Sequence, residues 1–292
     1  MKVLLINTGM DNEYKEQVIE VNKRILLFPQ LTLPYLAALT PQGIEVEVID
    51  EMHGLITEFV KADIVGISGI AMNSKRMYWL ADNYRAMGIP VILGGIHVSF
   101  MPDEAMPHAD AIVIGEADEL WPRILIDFQN GALKPVYRCI EYPSIEDLPF
   151  PRLDLVDGPK YQGSSGTLNV IMVTRGCPHS CKYCLVGKMH GQKMRVRSIQ
   201  NVVSEMNQLS DAPIYFQDDN LIGDPVYAKE LFSAMIPLNR KWFGAASIKI
   251  ADNAELLNLA QDSGCKVLFL GIESTNPKNI IFVNKKEVNA VE

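Results

Sequence analysis

Thr174-Arg175-Gly176-Cys177-Pro178-His179-Ser180-Cys181-Lys182-Tyr183-Cys184 sets three cysteines at spacings of four and three residues. The apolar run before it, Leu168 to Val173, predicts a buried strand, and Gly176 and Pro178 then turn the chain into a loop. A loop leaving a strand can wrap a metal centre. Zinc sites usually take four ligands from paired motifs, and disulfide exchange needs only two cysteines. Three close cysteines without a fourth therefore point to an iron-sulfur cluster that keeps one iron open, with a zinc knuckle or plain packing as the bland alternatives. Cys139 and Cys265 each stand alone and read as packing residues.

Downstream, strand and helix alternate. The pattern predicts helices over Arg195–Gln208, Val226–Ile236 and Ala254–Asp262, and strands over Ile214–Gln217, Trp242–Ala246 and Val267–Leu270. Repetition at this interval predicts a parallel βα (TIM-like) barrel or part of one. The segments Gln217-Asp218-Asp219-Asn220 and Gly271-Ile272-Glu273-Ser274 follow strands, where barrel enzymes place their active-site groups.

Upstream, residues 1 to about 130 predict a doubly wound, Rossmann-like α/β domain. Its strands are Lys2–Ile6, Glu45–Ile49, Ile64–Ser68, Val91–Leu93 and Ala111–Ile114, mostly continuous apolar runs suited to a parallel sheet covered on both faces. Helices are expected from Pro34, over Ile56–Lys61, over Ser74–Met87 and over Glu119–Gln129. Ligands in such sheets bind at the carboxyl ends of the strands, which here carry Asn7-Thr8-Gly9, Asp50-Glu51, Ser68-Gly69-Ile70, Gly94-Gly95-Ile96-His97 and Gly115-Glu116. Glycines there would let a large flat ligand approach the backbone. Residues 131–166 are rich in proline and glycine and read as a linker, leaving 167–292 to the barrel.

The 292 residues, 48% hydrophobic and 21% charged, suffice for two ordinary cores. A net charge of −8 gives no basic footprint, so nucleic acid is not the expected partner. No run is long enough to span a bilayer, and the short apolar start does not read as a signal peptide. Five cysteines, three of them clustered, fit metal ligation in a reducing cytoplasm better than a disulfide framework.

The cysteine spacing, with Tyr183 before the third cysteine, resembles the signature of the radical S-adenosylmethionine (radical SAM) superfamily. The resemblance implies a 4Fe-4S cluster on Cys177, Cys181 and Cys184, with S-adenosylmethionine on the open iron. Its reductive cleavage would yield a 5'-deoxyadenosyl radical that takes hydrogen from an unactivated carbon. It also implies cofactor contacts from Tyr183, Glu273 and Asp218 or Asp219, a small-molecule substrate, and an electron donor such as flavodoxin or ferredoxin.

The run Leu93 to Ser99, with Pro102-Asp103-Glu104 and Ala109 to Glu116, resembles the amino-terminal domain of cobalamin-binding radical SAM enzymes. On that resemblance, cobalamin meets Ser68, Gly69, Gly94, Gly95, His97, Gly115 and Glu116. No Asp-x-His-x-x-Gly motif marks an axial cobalt ligand, since Asp50 to Gly54 has the wrong spacing. The implied activity is methyl transfer to an unactivated carbon or a related radical rearrangement or cyclisation. A non-catalytic binding protein stays open as the second class. At roughly 31 residues per βα unit, the stretch from Ile171 to the end holds about four units, where the family's radical domain usually has six. A truncated chain, a fragment of a longer reading frame and a shortened protein completed by a partner are the three readings of that shortfall.

Overall fold

Alternate residues of Lys2–Asn7 (β1) enter different cores: Leu4 and Ile6 face one side of a sheet, Val3 and Leu5 the other. A strand buried on both faces must be apolar throughout, as this one is. The computed structural model describes residues 1–10, 28–156, 161 and 168–285. Two compact units emerge, one formed by residues 1–143 and 149–166, the other by 144–148 and 167–292.

In the first unit, β1 pairs in parallel with Glu45–Asp50 (β2) and Ile64–Ser68 (β3). The sheet continues through Val91–Gly94 (β4), Ala111–Ile114 (β5) and Val136–Arg138 (β6), in the order β2-β1-β3-β4-β5-β6. Thr32–Leu39 (α1) and Leu120–Gln129 (α5) cover one face, and Ser74–Ala86 (α2) covers the other. Ile96–Phe100 (α3) and Pro102–Ala105 (α4) are short helices between β4 and β5. The order reverses beside β1, so a crevice opens at the carboxyl ends of β1 and β3.

Two expectations need correcting. Ile56–Lys61 is irregular rather than helical, because the amide of Ile56 bonds to the Glu51 carboxylate while Phe59 and Val60 pack on the core. The stretch read as a linker contributes β6, whose Val136, Tyr137 and Arg138 lie in register with Ile112, Val113 and Ile114. Gly158, Pro159, Gly163 and Gly166 of that stretch lie outside the described residues.

In the second unit, Asn169–Ile171 (β7), Ile214–Phe216 (β10), Trp242–Ala246 (β11) and Cys265–Leu270 (β12) form a parallel sheet in sequence order. This is a partial βα barrel. Ile199–Met206 (α7), Pro225–Met235 (α8) and Ala254–Asp262 (α9) cover it through Val202, Met206, Leu231, Phe232, Leu256 and Ala260. Thr174–Arg175 (β8) pairs antiparallel with Arg195–Val196 (β9). The helix expected over Arg195–Gln208 therefore starts only at Ile199, where the Ser198 hydroxyl accepts from Asn201 N as an N-cap. Val186–Met189 (α6) lies between the cysteines and β9, and Pro277–Phe282 (α10) follows β12.

Candidate functional site

The β8–β9 ribbon forms the neck of the cysteine loop. Gly176 at its base has φ +89°, and a Cβ there would stand 2.6 Å from the Lys193 carbonyl oxygen, so only glycine lets the loop close this tightly. Cys177 N bonds to Gly191 O, and Cys184 N to Cys181 O. None of the three is in a disulfide, and all are half-buried. Burial pushes the Cys177 thiol up, opposed by the backbone at His179 and by the side-chain amide of Asn220.

From β10 comes Asp218, which is buried and turned towards the foot of this loop. Its carboxylate accepts from Val173 N at 3.1 Å, from Thr174 N at 2.5 Å and from the Thr174 hydroxyl at 2.6 Å. Burial lifts its pKa to about 7 against the pull of those donors. Sequence reasoning sets Asp218 or Asp219 near a cofactor, and the Asp218 oxygens bond to the chain that presents the cysteines. Asp219 is exposed. Asn220 is buried again. Its Oδ1 accepts from Ser247 N at 3.0 Å, and its Nδ2 has no hydrogen-bond acceptor among the described residues.

The far side of the loop meets the segment around α10. Lys182 N bonds to Val283 O at 2.9 Å, and the Asn284 amide holds Ser180 O and Oγ at 3.0 and 2.8 Å. Lys285 Nζ lies 3.1 Å from the Tyr183 hydroxyl and 3.2 Å from Glu273 Oε1. Glu273 has φ +65°, and a Cβ on Gly271 would come within 3.0 Å of both Glu273 Oε1 and Lys285 Nζ. The turn after β12 thus brings Glu273 and Tyr183 to one ammonium. Asn284 and Lys285 were not foreseen, because nothing in the local pattern ties them to a loop a hundred residues earlier.

Beneath the loop, Arg197 is fully buried. It bonds to Met172 O and Asn201 Oδ1 and pairs with Glu205 at 2.5 Å.

In the first unit, the strand-end residues hold one another. Thr8 N and Oγ1 both bond to Ser68 O, and Asn73 takes Ile70 N on its Oδ1 while donating to Thr8 O. Glu51, buried, accepts from Gly9 N and Ile56 N and pairs with Arg76, whose guanidinium lies 4.4 Å over Trp79. Gly69 and Gly95 serve this packing. A Cβ on Gly95, at φ +94°, would meet Ser68 Oγ at 2.7 Å and Gly69 O at 2.9 Å, and one on Gly69 would meet Thr8 Oγ1 at 2.9 Å. Gly94 is different, with only Val113 at 3.7 Å. Ser99 bridges the next loops, donating to Gly95 O and accepting from Gly115 N. His97 turns its Nε2 to the Tyr78 hydroxyl at 3.0 Å and to Glu104 at 3.2 Å. Gly115, at φ +89°, is held against Cys139, and buried Glu116 lines a cavity of about 350 Å³ with Glu119, Arg138, Cys139 and Glu141. Ile70 and Met72, after β3, are exposed.

The chain matches the B12 binding domain family over residues 22–125 and the radical SAM superfamily over residues 171–290. A B12 binding domain and a radical SAM domain thus follow one another in this chain. It is 31% identical to the bacteriochlorophyllide d C-8(2)-methyltransferase of Chlorobaculum tepidum, over 90% of this chain and 61% of that protein. It is 29% identical to the C-12(1)-methyltransferase of the same organism, over 87% of this chain and 58% of that one. The structure of the radical S-adenosylmethionine methyltransferase TsrM from Kitasatospora setae, with cobalamin and a 4Fe-4S cluster bound, superposes with a TM-score of 0.73 at 17% identity. That match covers 98% of this chain and 62% of TsrM. The chain thus spans about three fifths of the length of these relatives.

The residues present fit the family's cofactors, a 4Fe-4S cluster, S-adenosylmethionine and cobalamin. Among the described residues, no three His, Cys, Asp or Glu side chains stand close enough to share one metal ion. A cluster makes no such demand, because each thiolate takes its own iron. The buried Asn220 amide, in the turn against the cysteine loop, is a donor of the kind that cluster sulfur can accept. At the sheet, exposed Ile70 and Met72 border the small-residue loops and offer an apolar surface that a flat ring face could cover. No described helix is long and apolar enough to cross a membrane.

Proposed function

We propose that this chain is the cofactor-binding part of an enzyme that transfers a methyl group to an unactivated carbon of a small molecule, or performs a related radical rearrangement or cyclisation. The carrying observation is the cysteine loop, closed by Gly176, footed on Asp218 and tied to α10, in a chain that also holds a B12 binding domain. The named activities of the Chlorobaculum methyltransferases support the methyl-transfer reading.

When bound, the cluster, S-adenosylmethionine and cobalamin supply an electron, a hydrogen-abstracting radical source and a methyl carrier. Cys177, Cys181 and Cys184 hold the cluster as thiolates. Asp218 fixes the backbone at Val173 and Thr174, so the first cysteine leaves β8 at a set angle. Tyr183 and Glu273, oriented by Lys285, meet S-adenosylmethionine, with Asp218 or Asp219 near the same cofactor in this reading. Ser68, Gly69, Gly94, Gly95, Gly115 and Glu116 form the strand-end floor for cobalamin. His97, whose Nε2 meets the Tyr78 hydroxyl and Glu104, would be a further contact of that floor. A reducing cytoplasm, where flavodoxin or ferredoxin would supply the electron, is the setting this reading takes, supported by five cysteines of which none is joined in a disulfide.

Anaerobically reconstituted protein with reductant should convert S-adenosylmethionine to 5'-deoxyadenosine, and should retain hydroxocobalamin through gel filtration. Full iron and corrin loading without any cleavage or methyl transfer would make it a binding protein.

A further inference from the structure

We propose that Asn220 donates a hydrogen bond from Nδ2 to the Cys177 sulfur of the bound cluster and thereby raises the cluster's reduction potential. This rests on the assignment of Cys177, Cys181 and Cys184 as cluster ligands.

The side chain is held rigidly. Asn220 lies in the turn after β10, where Leu221 N bonds to Ala245 O at 3.0 Å and Gly223 N bonds to Asn220 O at 3.1 Å. Ser247 N needs an acceptor and finds Asn220 Oδ1 at 3.0 Å, which decides which end of the amide is oxygen. Nδ2 must then point the other way. It is buried and meets no acceptor among the described residues.

The same turn lies against the cysteine loop. A Cβ on Gly223 would stand 3.2 Å from Cδ of Pro178, the residue after Cys177, and the Asn220 amide is already a neighbour of the Cys177 thiol. A buried amide donor without an acceptor is costly, and native folds seldom keep one without a reason. Thiolate or sulfide sulfur bound to iron is such an acceptor. A donor to it stabilises the more negative, reduced cluster, and hydrogen bonds to the sulfurs are among the factors that set cluster potentials. Asp218 and Asn220 thus divide the labour of one loop. The first holds the backbone that carries the cysteines, and the second acts on the sulfur.

The test uses the full chain, reconstituted with iron and sulfide, as wild type, Asn220→Leu and Asn220→Asp. Leucine removes the donor at similar volume, whereas aspartate keeps the acceptor for Ser247 and lacks the donor. Each is titrated with reductant, the reduced cluster is followed by electron paramagnetic resonance, and iron is assayed separately. Both variants are expected to keep the wild-type iron content while the reduction equilibrium shifts about tenfold towards the oxidised form, 59 mV for a one-electron couple. In D2O, an exchangeable deuteron coupled to the wild-type cluster should vanish in Asn220→Leu. Full iron with equilibria within twofold of wild type and an unchanged deuteron coupling would overturn the inference. So would loss of iron from a folded Asn220→Asp, which would make the residue a brace of the loop. A wild-type chain that takes up no iron would overturn the ligand assignment and this inference with it.

Discussion

Gly95→Ala should destabilise the first unit, while Gly94→Ala, one residue earlier, should not. Gly95 has φ +94° and ψ −177°, a region entered almost only by glycine, and forcing alanine there costs about 1–3 kcal/mol. The added methyl would stand 2.7 Å from Ser68 Oγ, 2.9 Å from Gly69 O and 3.2 Å from Gly69 N. Two of those atoms are backbone of the neighbouring strand-end loop and cannot rotate away, so overpacking adds about 1–3 kcal/mol. The total, about 2–6 kcal/mol, is a large share of the roughly 5–15 kcal/mol that holds a domain together. At Gly94 the nearest atom is 3.7 Å away, an ordinary contact, and the change should stay within about 1 kcal/mol of wild type. Urea unfolding, followed by circular dichroism and by tryptophan fluorescence, compares the two. A Gly95→Ala midpoint indistinguishable from wild type, or an equally large loss in Gly94→Ala, would refute the reasoning. Because Gly94→Ala keeps the fold, hydroxocobalamin retention by that variant reports on the corrin's approach and not on unfolding.

Alanine at Cys177, Cys181 or Cys184 should each abolish the cluster, read as iron content and visible absorption, while alanine at Cys139 or Cys265 leaves iron nearly intact. Arg76→Met strands the Glu51 carboxylate in the core and should cost about 3–5 kcal/mol in urea unfolding, because one partner of a buried ion pair is then left alone. Burial raises Asp218 to about 7, so the folded chain holds that proton more tightly than the unfolded chain. The stability this contributes is complete below about pH 4 and is lost as pH rises through about 7. Cluster-free wild type should therefore lose more stability between pH 5 and pH 8 than Asp218→Asn, and equal slopes would argue against the shift. Lys285→Met releases Tyr183 and Glu273 together and should weaken S-adenosylmethionine binding roughly tenfold, by analogy with other lost charged hydrogen bonds. The readout is the change the cofactor makes in the cluster's paramagnetic spectrum, which Lys285→Arg should largely restore.

What could be read in the sequence was local. The strands β1, β3, β4 and β5 announce themselves because both faces of a covered parallel sheet demand apolar residues, and the cysteine loop is legible because its three cysteines lie within eight residues of one another. Val136–Arg138 hides as a strand because only three residues pair, after a proline, and only the exposed edge of β5 gives them a partner. Arg195–Val196 carries helix-compatible residues, and its strand state comes from Thr174 and Arg175 twenty residues away. The groups that hold the ligands were illegible for the same reason. Glu51 and Arg76 are 25 residues apart, and Lys285 and Tyr183 are 102 apart. Singly, each such charge reads as a solvated surface residue, and burial and pairing appear only once the chain is folded. In this molecule the three clustered cysteines are written in one loop. The rigidity that makes the loop usable comes from Asp218, Asn284 and Lys285, which the fold alone brings to it.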